Sequence, residues 1–285
     1  MTRKSYLTDL SDQEWEIIKP HIPLAKAEGR PRKHSFREIL NAVFYLLKTG
    51  CAWRLLPHDF PKWQSVYHYF RVWRINRVWE QVNRVLRQEL RVKLGRDTEP
   101  SAGVIDSQSV KTTGVGGNER GYDAGKKVAG RKRHILVDTQ GLVLKAKVHS
   151  ATVMDRDGVM LLLSPEEIKQ ELPRMKHVWL DSGYNGQDKG ADWIEKVVGW
   201  SAEMIRHPRK VTHVWAPEDA VIDWEKILPP PGFRPLPRRW VVERTFSWCG
   251  QSRRLSKDYE RLSETSEAMI YATMARLMTR RLAKK

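Results

Sequence analysis

The stretch Gly103-Val104-Ile105-Asp106-Ser107-Gln108-Ser109-Val110-Lys111-Thr112 decides how this chain is read. Val104, Ile105 and Val110 favour a β-strand, yet an acid sits inside the apolar run. A buried carboxylate is costly unless it is paired, hydrogen-bonded or bound to metal. Asp106 is therefore either a satisfied structural group or a member of a site. Two further acids favour the site: Asp181, which ends the short apolar run from His177 to Leu180, and Glu243, inside the amphipathic stretch PRRWVVERTFSWCGQSRRLSKDYE. They lie 75 and 62 residues apart along the chain, so only a fold can gather all three.

Outward from residue 112 the pattern stays β-type. A glycine-rich basic loop (Gly114 to Gly130) leads to RKRHILVD, a TQG turn and LVLKAKVHS, which predicts three consecutive antiparallel strands. Asp155 to Leu163 and Glu166 to Leu172 read as helices, His177 to Leu180 as a fourth strand, Gln187 to Val198 as a helix, and AEMIRH as a fifth strand. A helical crossover on each side of the fourth strand implies parallel pairing there, hence an α/β mixed sheet with flanking helices. Residues 208 to 236 are proline-rich and irregular, and PRRWVVERTFSWCGQSRRLSKDYE reads as one long helix. Asp138 opens a hairpin turn, where local hydrogen bonding suits it. Asp155 and Asp157 start a helix and suit cap roles. His134 and His149 read as satisfied core groups outside any metal site.

The first 95 residues are helical. Ser11 with Glu14 and Ser35 with Glu38 have capping-box spacing, and Ile39, Leu40, Val43, Phe44 and Leu47 run to a stop at Gly50. A turn and a second helix carrying WQSVYHYFRVWR follow, with Trp63, Val66, Phe70 and Trp73 as core. Such a helix-turn-helix-like pair is either a plain bundle or a DNA reader whose Gln64, Ser65, His68 and Arg71 meet base edges or phosphates. The loop AKAEGRPRKH, with Arg30 and Arg32, is either a groove-binding arm or a solvated linker. A last helix, Val78 to Leu94, puts Arg84, Arg87 and Arg91 on one side, for phosphates or for solvent. GRDTEPSAG breaks the pattern. The boundary falls near residues 95 to 102, giving a helical DNA-binding domain (1–95) and a catalytic domain (96–285).

Charge points the same way. The 285 residues hold 51 Lys plus Arg against 34 Asp plus Glu, a net +17 spread along the chain, which favours a polyanionic partner. No apolar run of about 18 residues, signal peptide or lipidation motif is seen, so a soluble intracellular protein away from membranes is expected. Cys51 and Cys249 suggest neither a disulfide framework nor a zinc finger.

Three carboxylates suit phosphodiester cleavage by two divalent ions, with hard oxygen ligands for Mg²⁺ or Mn²⁺. In a ribonuclease-H-like sheet the first and fourth strands are neighbours, and a helix beside them can supply the third acid. GVIDSQSVKT, GRKRHILVDTQGLVL, VHSATVMDRDG, VWLDSGYNG and RRWVVERTFSWCGQSRRLSKDYERL resemble the DDE transposases of bacterial insertion sequences, most closely the insertion sequence 5 group. LSDQEWEIIKPHIP, GRPRKHSFREILNAVFYLLKTGCAWRLLPHDFP and VYHYFRVW resemble that group's leading domain. The resemblance implies a catalytic triad of Asp106, Asp181 and Glu243 with two Mg²⁺, and recognition of double-stranded terminal inverted repeats by a homo-oligomer in the bacterial cytoplasm, at the nucleoid. The related signature has a tyrosine, an arginine and a lysine around the glutamate. Here those positions hold Leu236, Arg239 and Gly250, so only Arg239 matches. On one continuous helix Arg254 and Lys257 would share a stripe with Glu243, and Arg254 is expected to stand in for the lysine. A nuclease that never joins strands, or a DNA-binding protein without catalysis, are the other readings.

Overall fold

The computed structural model describes residues 3–23, 33–115, 117, 119–205, 221 and 238–284. Arg30, Arg32, Leu236 and the proline-rich stretch 208–236, apart from Val221, lie outside the described residues.

Caps and apolar periodicity build the N-terminal helices. α1 (Asp12–Ile18) starts on a full capping box between Ser11 and Glu14. α2 (Phe36–Thr49) starts where Ser35 accepts from the Glu38 amide and ends at Gly50, whose φ of 74° is left-handed. Half of that second capping box is missing: the Glu38 carboxylate is bound by the Arg3 guanidinium at 2.9 Å instead. α3 (Trp63–Ile75) buries Val66, Phe70 and Trp73, with Trp63 half-buried.

α4 (Val78–Lys93) corrects the arginine stripe. Arg84 is exposed, but Arg87 and Arg91 are only 2% and 5% exposed and face protein rather than phosphate or solvent. Arg91 is ion-paired with the fully buried Asp138, and Arg87 lies 3.7 Å from Glu99 and donates to the Val143 carbonyl at 3.5 Å. Helical spacing puts these arginines on one side; it does not reveal that the sheet covers that side.

The sheet is built from β1 (Ala102–Lys111), β2 (Gly121–Asp123), β3 (Val128–Asp138), β4 (Val143–Ser150), β5 (His177–Asp181) and β6 (Ser201–Ile205). β3 pairs antiparallel with β1 on one side and with β2 and β4 on the other, while β1–β5 and β5–β6 are parallel. This is the expected mixed sheet, with one short extra strand, β2, inside the glycine-rich loop. Gly130 allows β1 and β3 to approach there, since a Cβ would stand 1.9 Å from the Val110 carbonyl oxygen. α5 (Asp155–Leu162), α6 (Pro165–Glu171) and α7 (Gly190–Trp193, continued by a π turn to Val198) supply one core with Ile105, Leu136 and Val178. The opposite face, with Val104, Ile135 and Val148, packs on α8 (Arg239–Gly250), α9 (Ser263–Ala283) and the N-terminal helices in one continuous core.

The expected long helix ends at Gly250, and residues 253–255 form a 3₁₀ turn. The cause lies in β3. Arg133 donates to the carbonyls of Leu255 at 2.6 Å and Lys257 at 3.0 Å, and Arg131 to those of Glu260 and Arg261, each at 2.8 Å. Asp258 adds a parallel bridge to the end of β1 at Thr112 and an ion pair with Arg131 in which both side chains are fully buried. These bonds take carbonyls that a continuing helix would need.

Candidate active site

Strand register brings the first two acids together. Gly103 and Val104 of β1 pair with Val178 and Trp179 of β5, so Asp106 and Asp181 stand at matching positions two residues further on. Both share the sheet face of Val104, because side chains alternate. Asp106 Oδ1 accepts from the Ser107 amide and Asp181 Oδ1 from the Gly183 amide, each at 2.7 Å. α8 packs over β1 and β5 and brings the third acid. Arg239, one turn before Glu243, places Nε 3.1 Å from the Glu243 carboxylate and a terminal nitrogen 3.7 Å from that of Asp181.

Burial, and then the neighbouring Asp181, push the Asp106 carboxyl up to about 6. The raised value sets the sign of a stability effect. The protonated form is favoured by folding, so this contribution is complete below the unfolded value near 3.8 and is lost as pH rises through 6. In metal-free buffer, Asp106→Asn is therefore expected to raise thermal stability at pH 7.5 by up to about 3 kcal/mol. At pH 4 the two proteins should melt together. A variant no more stable than wild type at pH 7.5 would show that solvent already relieves the charge.

The other sheet face holds a network that the sequence reading missed. Ser107 Oγ donates to Asp155 at 2.7 Å, the buried Lys132 pairs with Asp155 at 2.8 Å and Asp123 at 3.3 Å, and Lys126 donates to the Ser107 carbonyl at 3.1 Å. Asp155 lies in the first turn of α5, but the helix has no side-chain cap bond: instead of the expected cap role, its carboxylate ties β1 and β3 to that helix. Burial opposes its charge, yet the bonds from Lys132 and Ser107 outweigh this and hold its carboxyl below the ordinary value. Asp157 pairs with Lys189 at 2.7 Å. Four consecutive basic residues, Arg131 to His134, were the available signal: in a strand they must face both ways, so a central strand has to bury and pair them. His134 and His149 bond each other at 2.7 Å, and burial pushes His134 down to about 3, which keeps it neutral. Gly158 makes room for them, since a Cβ there would lie 2.4 Å from the His134 ring. Asp138 serves its turn as expected, accepting from the Gln140 and Leu142 amides.

The donor chemistry around Asp106 fits divalent metal. All three acids offer hard oxygen, and the strain on Asp106 beside Asp181 is what a cation would relieve. In the present arrangement Arg239 sits between Asp181 and Glu243, and among the described residues no three His, Cys, Asp or Glu side chains close around a single ion.

Of the residues expected to meet DNA, Gln64, His68 and Arg71 are exposed along α3 and Ser65 is half-buried. The Arg254 expectation fails. α8 ends before it, and its guanidinium is buried, bonded to Glu260 at 2.6 Å and to the Cys51 carbonyl at 3.1 Å. Lys257 is exposed but no longer shares a helical stripe with Glu243.

Comparison with known proteins matches residues 10–83 to the IS4/5 family transposase domain DUF4096 and residues 97–278, more than half of the chain, to the transposase DDE domain. A 16.2 kDa uncharacterized protein of insertion element IS402 from Burkholderia cepacia is 30% identical over 113 residues, 38% of this chain and 76% of that protein. No solved structure matches the chain significantly. Among the described residues no helix is long and apolar enough to cross a membrane. Transposase DDE domains cleave and transfer DNA with the help of divalent metal ions. With its acids on β1, β5 and α8 of a ribonuclease-H-like sheet, the chain belongs to the DDE transposases of the IS4/5 family.

Proposed function

We propose that the chain binds the terminal inverted repeats of an insertion sequence, cleaves the phosphodiester at the element end and joins the freed 3′-hydroxyl to target DNA. The observation that carries this reading is the proximity of Asp106, Asp181 and Glu243 through strand register and the Arg239 bridge. Asp106, Asp181 and Glu243 are the residues that would hold two Mg²⁺, with Mn²⁺ as a substitute. When bound, such ions activate the attacking oxygen and stabilise the leaving oxygen. The backbone amides of Ser107 and Gly183 orient the two aspartates. Arg239 balances Asp181 and Glu243, and in this reading it turns its guanidinium to a phosphate oxygen when DNA is bound.

Residues 1–95 form the DNA-binding part in this reading and 96–285 the catalytic part. Gln64, Ser65, His68 and Arg71 read the repeats, and Lys257 contacts the backbone. A homo-oligomer assembles on the two ends, in the bacterial cytoplasm at the nucleoid. Incubating the full chain with end-containing DNA, target DNA and Mg²⁺ should give joined products. Cleavage alone would make the chain a nuclease, and binding alone a non-catalytic DNA protein.

The α3 surface makes its own prediction. In the full chain, Arg71→Ala should weaken binding to end DNA and flatten its log-log salt dependence by about 0.9, the value of one phosphate contact. Gln64→Ala should reduce the preference for end over unrelated duplex by about 1–3 kcal/mol. If filter binding shows neither effect, recognition lies on another surface.

A further inference from the structure

α8 carries a second feature beside Glu243. Trp240, Arg244 and Trp248 recur every four residues, and the Arg244 guanidinium lies 4.3 Å from the Trp240 ring centroid and 4.8 Å from that of Trp248. Arg281 of α9 stands 4.1 Å from the same Trp248 ring. Trp248 thus holds two cations near each other, one from each helix. Burial, then Arg244, lower the pKa of Arg281, and burial, then Arg280, lower that of Arg276.

Lys48, Arg276, Arg280, Arg281 and Lys284 meet Trp248 around a cavity of about 310 Å³. An adjoining cavity of about 380 Å³ adds Lys93 and Arg244. Among the described residues no carboxylate lines either one. Glu14, 3.6 Å from Arg280, meets the edge of the cluster, and Asp138 acts on Arg244 from outside the cavities. Basic residues in the last turn of α9 complement the helix dipole, which accounts for Arg280 and Arg281. Lys48 of α2 and Arg244 of α8 converge from other elements; they donate to the Gln251 carbonyl at 3.0 Å and the Gln140 carbonyl at 2.9 Å, neutral acceptors that leave their charge unbalanced. A cluster of cations, partly desolvated and without matching acids, is stabilised by an anion that bridges them.

We infer that this Trp248-centred cluster is a second DNA site, which takes backbone phosphates of duplex DNA on a different face of α8 from Glu243. The inference rests on the reading that the chain acts on duplex DNA. Glu243 lies about 60–140° around the helix from the tryptophan ladder, and Trp248 lies about 7.5 Å further along the axis. A duplex engaged at the acids can therefore continue around α8 to the cluster. The ligand is a phosphodiester backbone rather than a base edge, because the cluster offers cations from four elements.

The test uses the full chain, a fluorescent duplex and a salt titration of binding. Arg281→Gln and Lys48→Gln should each flatten the log-log salt slope by about 0.9, and Arg281→Lys should retain it, since phosphate binding needs the charge. Duplexes of different sequence should be affected equally. Slopes unchanged in folded Arg281→Gln and Lys48→Gln proteins overturn the inference, as does a flattened slope in Arg281→Lys. Competition by millimolar inorganic phosphate as effective as competition by duplex would also overturn it, marking a small-anion site. If wild type binds duplex without salt dependence, the DNA reading itself fails. If wild type behaves as expected and only the variants are indifferent, this site alone is lost.

Discussion

Asp106→Asn, Asp181→Asn and Glu243→Gln are each expected to lower cleavage of end-containing DNA by at least about a hundredfold, while end binding stays within about twofold of wild type. Metal ligands act on the chemical step, where Lewis-acid stabilisation is worth several kcal/mol, and a factor of one hundred corresponds to about 2.7 kcal/mol. The α3 residues proposed to read the repeats lie on another element and are untouched by these changes. The three substitutions differ in their structural effects. Asp106 is half-buried beside Asp181, so removing its charge relieves repulsion. Glu243 is exposed and linked to Arg239, so removing its charge leaves that guanidinium with Asp181. Loss of cleavage in all three, despite these different effects on stability, would separate a shared catalytic role from damage to the fold. Any one variant that keeps more than about a tenth of wild-type cleavage, less than 1.4 kcal/mol of lost stabilisation, would remove that residue from the triad.

Local signals in the sequence proved dependable where the physics is local. Ser11 and Glu14 form their capping box, Gly50 ends α2, and the β-type runs become β1, β3, β4, β5 and β6. Asp106 and Asp181 drew notice because each acid directly follows an apolar β-type run, and the strand register does set them side by side. Features decided by distant partners were not legible. Helical periodicity continues through residues 251–260, but the two arginines of β3 bind carbonyls there and end the helix, which removes Arg254 from the stripe of Glu243. The same spacing rule puts Arg87 and Arg91 on one face of α4 without revealing the Glu99 and Asp138 that meet them. In each case a buried charge waited for a partner more than ten residues away. A basic residue flanked by apolar ones on a central element is thus better read as half of a buried pair than as a solvated or DNA-facing group.

Asp138→Asn is expected to be the most destabilising conservative change in this part of the core, costing about 3–5 kcal/mol, the range for breaking a buried ion pair. Asp138 is fully buried at the turn between β3 and β4, where one oxygen accepts from the Gln140 and Leu142 amides and the other from Arg91. The asparagine amide oxygen can still accept from both turn amides, so the hairpin keeps its local bonds. Arg91, itself 5% exposed, is instead left, among the described residues, with the Asp97 carbonyl at 2.8 Å as its acceptor. Thermal unfolding at pH 7 should show a fall of about 10 °C, at roughly 2–4 °C per kcal/mol for a chain of this size. Arg91→Met leaves the Asp138 carboxylate with its two amide donors and should cost less. The double variant Arg91→Met/Asp138→Asn removes both charges and should be more stable than Asp138→Asn alone, with a coupling of at least about 1 kcal/mol. Additive losses would mean that the two side chains do not share one desolvated site, and α4 would then be held to the sheet by its apolar face alone.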